Sequence, residues 1–238
     1  MRVTELPTAS TQRLSVVGVV DVGPRMRRIT VTGPALGEFI ALPGQDVVVH
    51  LSDGHGGGVS RRYTIRNLDT DAHRLDLDVV MHGHGPGAAW AASVAIGDDV
   101  EVFGPRGKVL LADARWQLFV GDESAIPAIA EMIDALPAGT AAVAVIEVAD
   151  ADDEQPIPAT GPVDVRWLHR LPTPAGESEL LHAAVASVEI PDADRHAYLF
   201  GESRVVRRLR DDLGDRGLQP YEISAKGYWN LGRVSQSR

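Results

Sequence analysis

A chain of 238 residues, 44 % apolar and 24 % charged, has enough material for a buried core and one or two domains, and no apolar run approaches the roughly 20 residues that span a bilayer. Lysine and arginine number 23 against 33 aspartate and glutamate, a net charge of −10 that argues against a general binder of nucleic acid or of anionic membrane. Cysteine is absent, which excludes disulfides, a catalytic thiol and a Cys-ligated iron–sulfur cluster, so redox work would need a bound organic cofactor or a metal brought in by the substrate.

The first half reads as short β segments separated by turn residues. Strands are expected over residues 14–22, 26–32, 46–51, 60–67, 74–82 and 98–103, several alternating apolar and polar side chains as Arg28-Ile29-Thr30-Val31-Thr32 does. Gly23-Pro24, Gly33-Pro34, Pro43-Gly44 and Gly104-Pro105 punctuate them. Residues 54–58, Gly-His-Gly-Gly-Gly, read as a flexible loop, and Gly85-Pro86 opens one short helix. Six strands and a helix predict a small antiparallel β-barrel. The second half changes rhythm. Strands are expected over 116–120, 141–148, 165–169, 196–200 and 221–224, and helices over 124–136, 177–188 and 203–213, with Ser124 as an N-cap and Pro127 in the first turn. Residues 150–162 form a Pro-rich acidic loop. Alternating strand and helix predicts a doubly wound parallel sheet. The whole reads as a two-domain α+β chain, split into residues 1–112 and 113–238. The residues at the start lack the apolar stretch of a secretory signal, which points to the cytoplasm.

Residues 60–92 carry the chemistry. In the strand Arg61-Arg62-Tyr63-Thr64, a guanidinium can take a phosphate in a two-pronged contact and an aromatic ring can face a flat cofactor. The following strand, Asp78-Val79-Val80-Met81-His82, can offer backbone groups to the edge of such a ring. The Gly85-Pro86 turn then starts a helix whose free N–H groups suit a pyrophosphate. That combination is a way to hold a flavin dinucleotide; the plainer reading is a barrel strand with solvated arginines. Trp90 reads as core or as a stacking surface. His82 and His84 lack a third metal ligand, so no metal site is expected.

Gly121-Asp122-Glu123-Ser124 falls where a doubly wound fold places its ligand loop. It is not a Gly-x-Gly-x-x-Gly turn. Asp122 and Glu123 would repel a pyrophosphate but suit a helix start as fixed charges. Gly201-Glu202-Ser203 repeats the arrangement, and Arg204, Arg207, Arg208 and Arg210 then read either as a solvated helix face or as a site for an adenylate phosphate. The tail Lys226-Gly227-Tyr228-Trp229 brings a cation and two aromatics together: a lid over the core, a flavin face, or a cleft with Lys226 attracting an anion.

Together these blocks resemble the siderophore-interacting proteins, FAD-binding ferric-siderophore reductases of the ferredoxin-reductase-like superfamily. The matching residues are Arg61-Arg62-Tyr63-Thr64, Asp78 to Gly83, Gly85-Pro86 with Trp90-Ala91, Gly97-Asp98, Gly104-Pro105-Arg106-Gly107, Gly121 to Ala125 with Pro127-Ala128, Gly201-Glu202 and Gly227-Tyr228-Trp229. The resemblance implies FAD contacts from Arg61, Tyr63, Thr64, Asp78, Val80, Met81, His82, Gly85, Ala88 and Trp90. It implies a nicotinamide or pyrophosphate region at Gly121, Glu123, Ser124, Tyr228 and Trp229. It further implies passage of electrons from NADH, NADPH or a ferredoxin to a ferric siderophore, in a monomer with no nucleic-acid partner and no membrane insertion. Two departures stand out. Gly87-Ala88 replaces the family's usual Ala-Ser, and Asn230-Leu231 follows Tyr-Trp where two arginines are usual, leaving Lys226 and Arg233 as the nearest cations for an anionic chelate. The rival readings are a flavin reductase with another acceptor and a non-enzymatic carrier of flavin or ferric chelate.

Overall fold

Alternation sets the first half. Leu14 and Val16, Ile29 and Val31, Val47, Val49 and Leu51, Leu75, Leu77 and Val79, and Val100 and Val102 are all buried, and the residues between them turn outward or to the sheet's other side. In the computed structural model, which describes residues 8–52, 58–81 and 85–232, these side chains meet in one core. They come from β1 (Ser10–Gly23), β2 (Met26–Thr32), β3 (Asp46–Ser52), β4 (Gly58–Thr64), β5 (Arg66–Asp69), β6 (Arg74–Val80) and β7 (Asp99–Arg106). The sheet order is β4-β3-β7-β1-β2-β6-β5, with every pair antiparallel. β4 also meets β6, so the sheet curls around its core as a barrel. The single helix, α1 (Pro86–Ser93), packs against β3 and β6.

The barrel has seven strands, not the six expected. The run 60–67 breaks after Thr64: Asn67 takes a φ of 46°, a left-handed conformation that Asn tolerates, and Arg66–Asp69 pairs as a short strand of its own. The loop expected at 54–58 lies, up to residue 57, outside the described residues, as does His82 at the end of the strand expected over 74–82.

The chain divides into two compact units between Leu110 and Leu111. The second unit is a parallel sheet of β8 (Trp116–Asp122), β9 (Ala141–Val148), β10 (Val163–His169), β11 (Arg195–Glu202) and β12 (Ile223–Trp229), ordered β10-β9-β8-β11-β12. Its helices are α2 (Ile126–Asp134), α3 (Leu180–Ala186) and α4 (Ser203–Asp215). Leu118, Val120 and Leu199 share a core with Leu181 and Val185 of α3 and Val206, Leu209 and Leu213 of α4. Gly121, which faces the other way from Val120, lies against Ile129 of α2. Helices therefore cover both faces, which is why the strands are apolar throughout. The helix expected from Ser124 begins with a 3-10 turn over Glu123–Ala125, and the strand expected at 221–224 starts at Ile223, after a 3-10 turn, and runs on to Trp229. Among the described residues no helix is long and apolar enough to cross a membrane.

Candidate functional site

The start of α1 is open to an anion. Pro86 occupies the first helical position with its φ already suited to a helix, and Gly85 stands before it in an extended conformation. Gly85 has no side chain to accept from the first N–H groups, and no other side chain among the described residues caps them. A Cβ placed on Gly85 would meet nothing within 4 Å. At Gly87 the situation reverses. A Cβ there would lie 2.5 Å from Tyr63 Oη and 3.8 Å from Arg61 Cγ, so the helix start sits directly on two side chains from one face of β4.

Those two side chains have distinct roles. Arg61 Nη1 donates to the Ser60 carbonyl at 2.9 Å, and Arg61 has no acidic partner among the described residues. Its neighbour Arg62 points the other way and is held by buried Asp46 at 3.0 Å. Tyr63 lies 5.7 Å, ring to ring, from Trp90 on the next turn of α1. Burial pushes the Tyr63 phenol well above its ordinary range, so it remains a donor at physiological pH.

The adjoining strand adds a free edge. β5 pairs with β6 only at Arg66–Asp76 and Asp69–Arg74, so Leu77 to Val80 has no strand partner on that side among the described residues. The Asp78 carboxylate is held by Arg28 at 2.7 and 2.8 Å, so a ligand donor would share it with that guanidinium. What β6 offers is backbone, flanked by half-buried Val80 and Met81; the Met81 N–H already donates to the Arg25 carbonyl. Thr64 is buried at the end of β4, and Ala88 is half-buried in the first turn of α1. A flavin dinucleotide needs an anion site, an aromatic surface and a polar edge, and β4, β6 and α1 provide all three. His82 lies outside the described residues.

The second unit has the same strand–turn–helix device in a filled form. Its strand order reverses between β8 and β11, which puts the topological switch point at Asp122 and Glu202. The Asp122 carboxylate accepts from the Ser124 backbone N–H at 2.9 Å, the Ser124 hydroxyl, the Glu202 N–H at 3.0 Å and the Trp229 indole N–H at 2.8 Å. Gly201, at φ 122°, lets the carboxylate approach so closely that a Cβ there would lie 2.4 Å from Oδ2. Burial, aided by the charge of Glu123, raises the Asp122 pKa above the usual carboxylate range. Glu123 itself is bound in both prongs by Arg170 at 2.7 Å, with both side chains buried. Glu202 accepts from the N–H groups of Arg204, Val205 and Leu231. Glu123 and Ser124 thus direct their polar atoms at other residues of the chain, and Gly121 packs against Ala125 and the Phe200 carbonyl.

On β12, the Lys226 ammonium sits 5.2 Å from the centre of the Tyr228 ring, and Tyr228 stacks on Phe200 at 5.4 Å. Arg233 lies outside the described residues. Among the described residues no cluster of His, Asp or Glu could hold a metal ion. Three features escaped sequence reasoning: the Gly87–Tyr63 contact, the Arg170 partner of Glu123, and the Asp122–Trp229 hydrogen bond. Only the first left a signal, since a glycine in a short helix costs about 1 kcal/mol relative to alanine and so calls for a reason.

Comparison with known proteins matches two family descriptions: "Siderophore-interacting FAD-binding domain" over residues 52–109 and "Siderophore-interacting protein" over residues 114–232. The ferric vibriobactin reductase of Vibrio cholerae is 31 % identical over 75 % of this chain and 67 % of its own length. The NADPH-dependent ferric-chelate reductase of Escherichia coli is 29 % identical over 72 % of this chain and 66 % of its own length. The matches thus span about two-thirds of the length of the curated relatives. Among solved structures, a siderophore utilization protein from T. fusca superposes with a TM-score of 0.88 at 30 % identity, covering 98 % of this chain and 97 % of that one. A β-barrel followed by a five-stranded parallel sheet is the ferredoxin-reductase-like fold.

Proposed function

The chain belongs to the siderophore-interacting protein family, and we propose that it is an FAD-dependent ferric-siderophore reductase that takes electrons from NADH or NADPH, or from a ferredoxin. The observation that supports this most directly is the open start of α1 resting on Arg61 and Tyr63. Siderophores hold Fe(III) with hard oxygen donors, and Fe(II), with its lower charge density, binds them far less tightly, so one electron releases the metal. FAD supplies the conversion between a two-electron hydride donor and a one-electron acceptor.

The protein residues bind and orient. Arg61 and the N–H groups that begin α1 take the pyrophosphate. Tyr63 would donate its hydroxyl proton in a hydrogen bond, Trp90 would wall the site with its ring, and the edge of β6 that has no strand partner among the described residues would take the polar rim of the ring system, with Thr64, Asp78, Val80, Met81, Gly85 and Ala88 lining it; from the sequence alone we add His82 to this set. We assign residues 1–112 to this flavin-binding domain and 113–238 to the domain that meets the electron donor, through Gly121, Glu123, Ser124, Tyr228 and Trp229. Lys226 and Arg233 attract the ferric chelate. We place the protein in the cytoplasm as a monomer.

The test is anaerobic spectroscopy of the purified protein. The preparation is expected to be yellow, to bleach with NADPH, NADH or a reduced ferredoxin, and to recover its colour when a ferric chelate is added. A colourless preparation that takes up no added FAD overturns the proposal. Bleaching without recovery on ferric chelate favours a flavin reductase with another acceptor.

A further inference from the structure

Four arginines on α4 have different surroundings. Arg208 Nη1 is held by Glu179 at 2.7 Å and Arg210 by Asp211 at 2.9 Å. Arg204 and Arg207, three residues apart and therefore on one face of the helix, have no acidic partner among the described residues. These same two line a cavity of about 290 Å³ together with Ser203, Asn230 and Leu231. In a chain with net charge −10, the general field repels anions, so a site for one has to be built locally. Two exposed arginines that line one concavity, with no acidic partner among the described residues, can form such a site.

The remaining groups around the cavity agree with that reading. The N–H groups that open α4 are not available, because the Glu202 carboxylate accepts from Arg204 and Val205. The same carboxylate also accepts from the Leu231 N–H, so its charge is met by backbone donors rather than by the arginines. The Ser203 hydroxyl donates to the Trp229 carbonyl. Binding power therefore rests with the side chains of Arg204 and Arg207, and Asn230 adds an uncharged polar residue to the lining. The volume suits one charged end of a larger molecule rather than the whole of it.

We propose that the cavity formed by Ser203, Arg204, Arg207, Asn230 and Leu231 is an oxyanion subsite that holds one phosphate or carboxylate group of a small-molecule reactant. Two reactants of the proposed reductase carry such a group: the ribose phosphate of NADPH and the carboxylates of an acidic ferric chelate. The identity of the ligand rests on the reductase reading, while the site itself does not.

The experiment is calorimetric titration of the FAD-loaded protein at low salt with 2′,5′-ADP, with 5′-AMP and with citrate, repeated on Arg204→Gln/Arg207→Gln and on Arg208→Gln. The double variant should lose about tenfold or more in affinity for 2′,5′-ADP or for citrate, whereas Arg208→Gln, whose partner is Glu179, should lose none. A loss confined to 2′,5′-ADP, with 5′-AMP unchanged, names the ribose phosphate. A loss confined to citrate names the carboxylate chelate. If the double variant does not fold, the single variants Arg204→Gln and Arg207→Gln should each show part of the loss. The subsite is overturned if neither probe binds the parent protein at millimolar concentration, or if both bind the double variant as they bind the parent. Flavin content and bleaching are read on the same samples. Arginine-dependent anion binding in a protein that takes up no FAD would sink the reductase reading and keep the subsite; normal turnover with probe binding that ignores the arginines would do the reverse.

Discussion

The starts of α1 and of the 3-10 turn after β8 are the same device built two ways. Each follows a β-strand, and each directs backbone N–H groups at a place where an anion can sit. At α1 the preceding residue is Gly85, which offers no side-chain acceptor, and the nearby Arg61 has no acidic partner among the described residues. After β8 the preceding residue is Asp122, whose carboxylate takes four donors at once, and the nearest arginine, Arg170, is fully engaged by Glu123. On the reading proposed above, the first receives a ligand's negative charge, whereas the second carries its own. Fold topology alone would have marked the second as the ligand site, since it lies at the switch point of the parallel sheet. Which helix start binds an anion is decided by the residue at its cap, not by the strand order.

The largest effect should come from uncoupling the filled site. Arg170→Ala leaves the Glu123 carboxylate buried without its partner, beside Asp122 and Glu147, and should cost about 3–5 kcal/mol. Urea unfolding reads it; a loss under 1 kcal/mol would mean that the pair is solvated and the filled site less tightly built than described.

Emptying the filled site should come next. Asp122→Ala frees the N–H groups of Ser124 and Glu202 and the indole N–H of Trp229. Water entering the space that the carboxylate leaves meets most of the freed donors, so the net loss should be about 1–3 kcal/mol in all, the cost of one unmet buried donor. The variant should be less stable than the parent, yet recover more stability from added sulfate than the parent does. Equal recovery by both proteins would show that the carboxylate does not stand in for an anion.

On the open side, Arg61→Ala removes a cation that has no acidic partner among the described residues, at the cost to the fold of one local bond to the Ser60 carbonyl and some packing under Gly87. FAD affinity should fall roughly ten- to a hundredfold, as expected for one charge-assisted bond of about 1.5–3 kcal/mol, with little change in melting temperature. Arg62→Ala, which breaks the Asp46 pair, should do the opposite: lower stability and normal flavin content. A yellow Arg61→Ala protein with full flavin occupancy would remove the basis for calling this helix start a receptor.

Much of this was legible beforehand because local patterns carried it. Alternation at 28–32 and the continuous apolar run at 141–148 distinguished a half-exposed antiparallel strand from a doubly buried parallel one. Gly85-Pro86 announced an uncapped helix. The break at Asn67 was invisible, since a polar residue in a polar strand edge carries no mark of its φ. The Asp122 network was invisible for another reason. Its donors come from Ser124, Glu202 and Trp229, and bringing positions 122 and 229 together is a property of the sheet order rather than of any local segment. Likewise Arg61 and Arg62 are equal in the sequence, and only the register of β4 with β3 separates the one that Asp46 holds.

Glu147 offers the finest test of the filled site. It is the penultimate residue of β9, directly opposite Asp122, with Ser178 as its hydrogen-bond partner, and its Oε2 has no partner among the described residues. Burial, reinforced by the charges of Asp122 and Glu123, raises its pKa above the ordinary carboxylate value, while Ser178 and Arg170 pull the other way. A raised folded-state value means that the neutral acid is the form the fold prefers. Its contribution is complete below the ordinary carboxylate range and is lost as pH rises through the raised value. Glutamine is neutral throughout. Glu147→Gln should therefore match the parent in stability near pH 4 and gain on it as pH rises toward 8, and the loss of the Glu147 charge also eases the ionisation of Asp122, which adds to the gain in the same direction. A pH-independent difference between the two melting curves would show that Glu147 keeps its charge in the folded protein, and that the carboxylates at these strand ends are held by more donors than the structure contains.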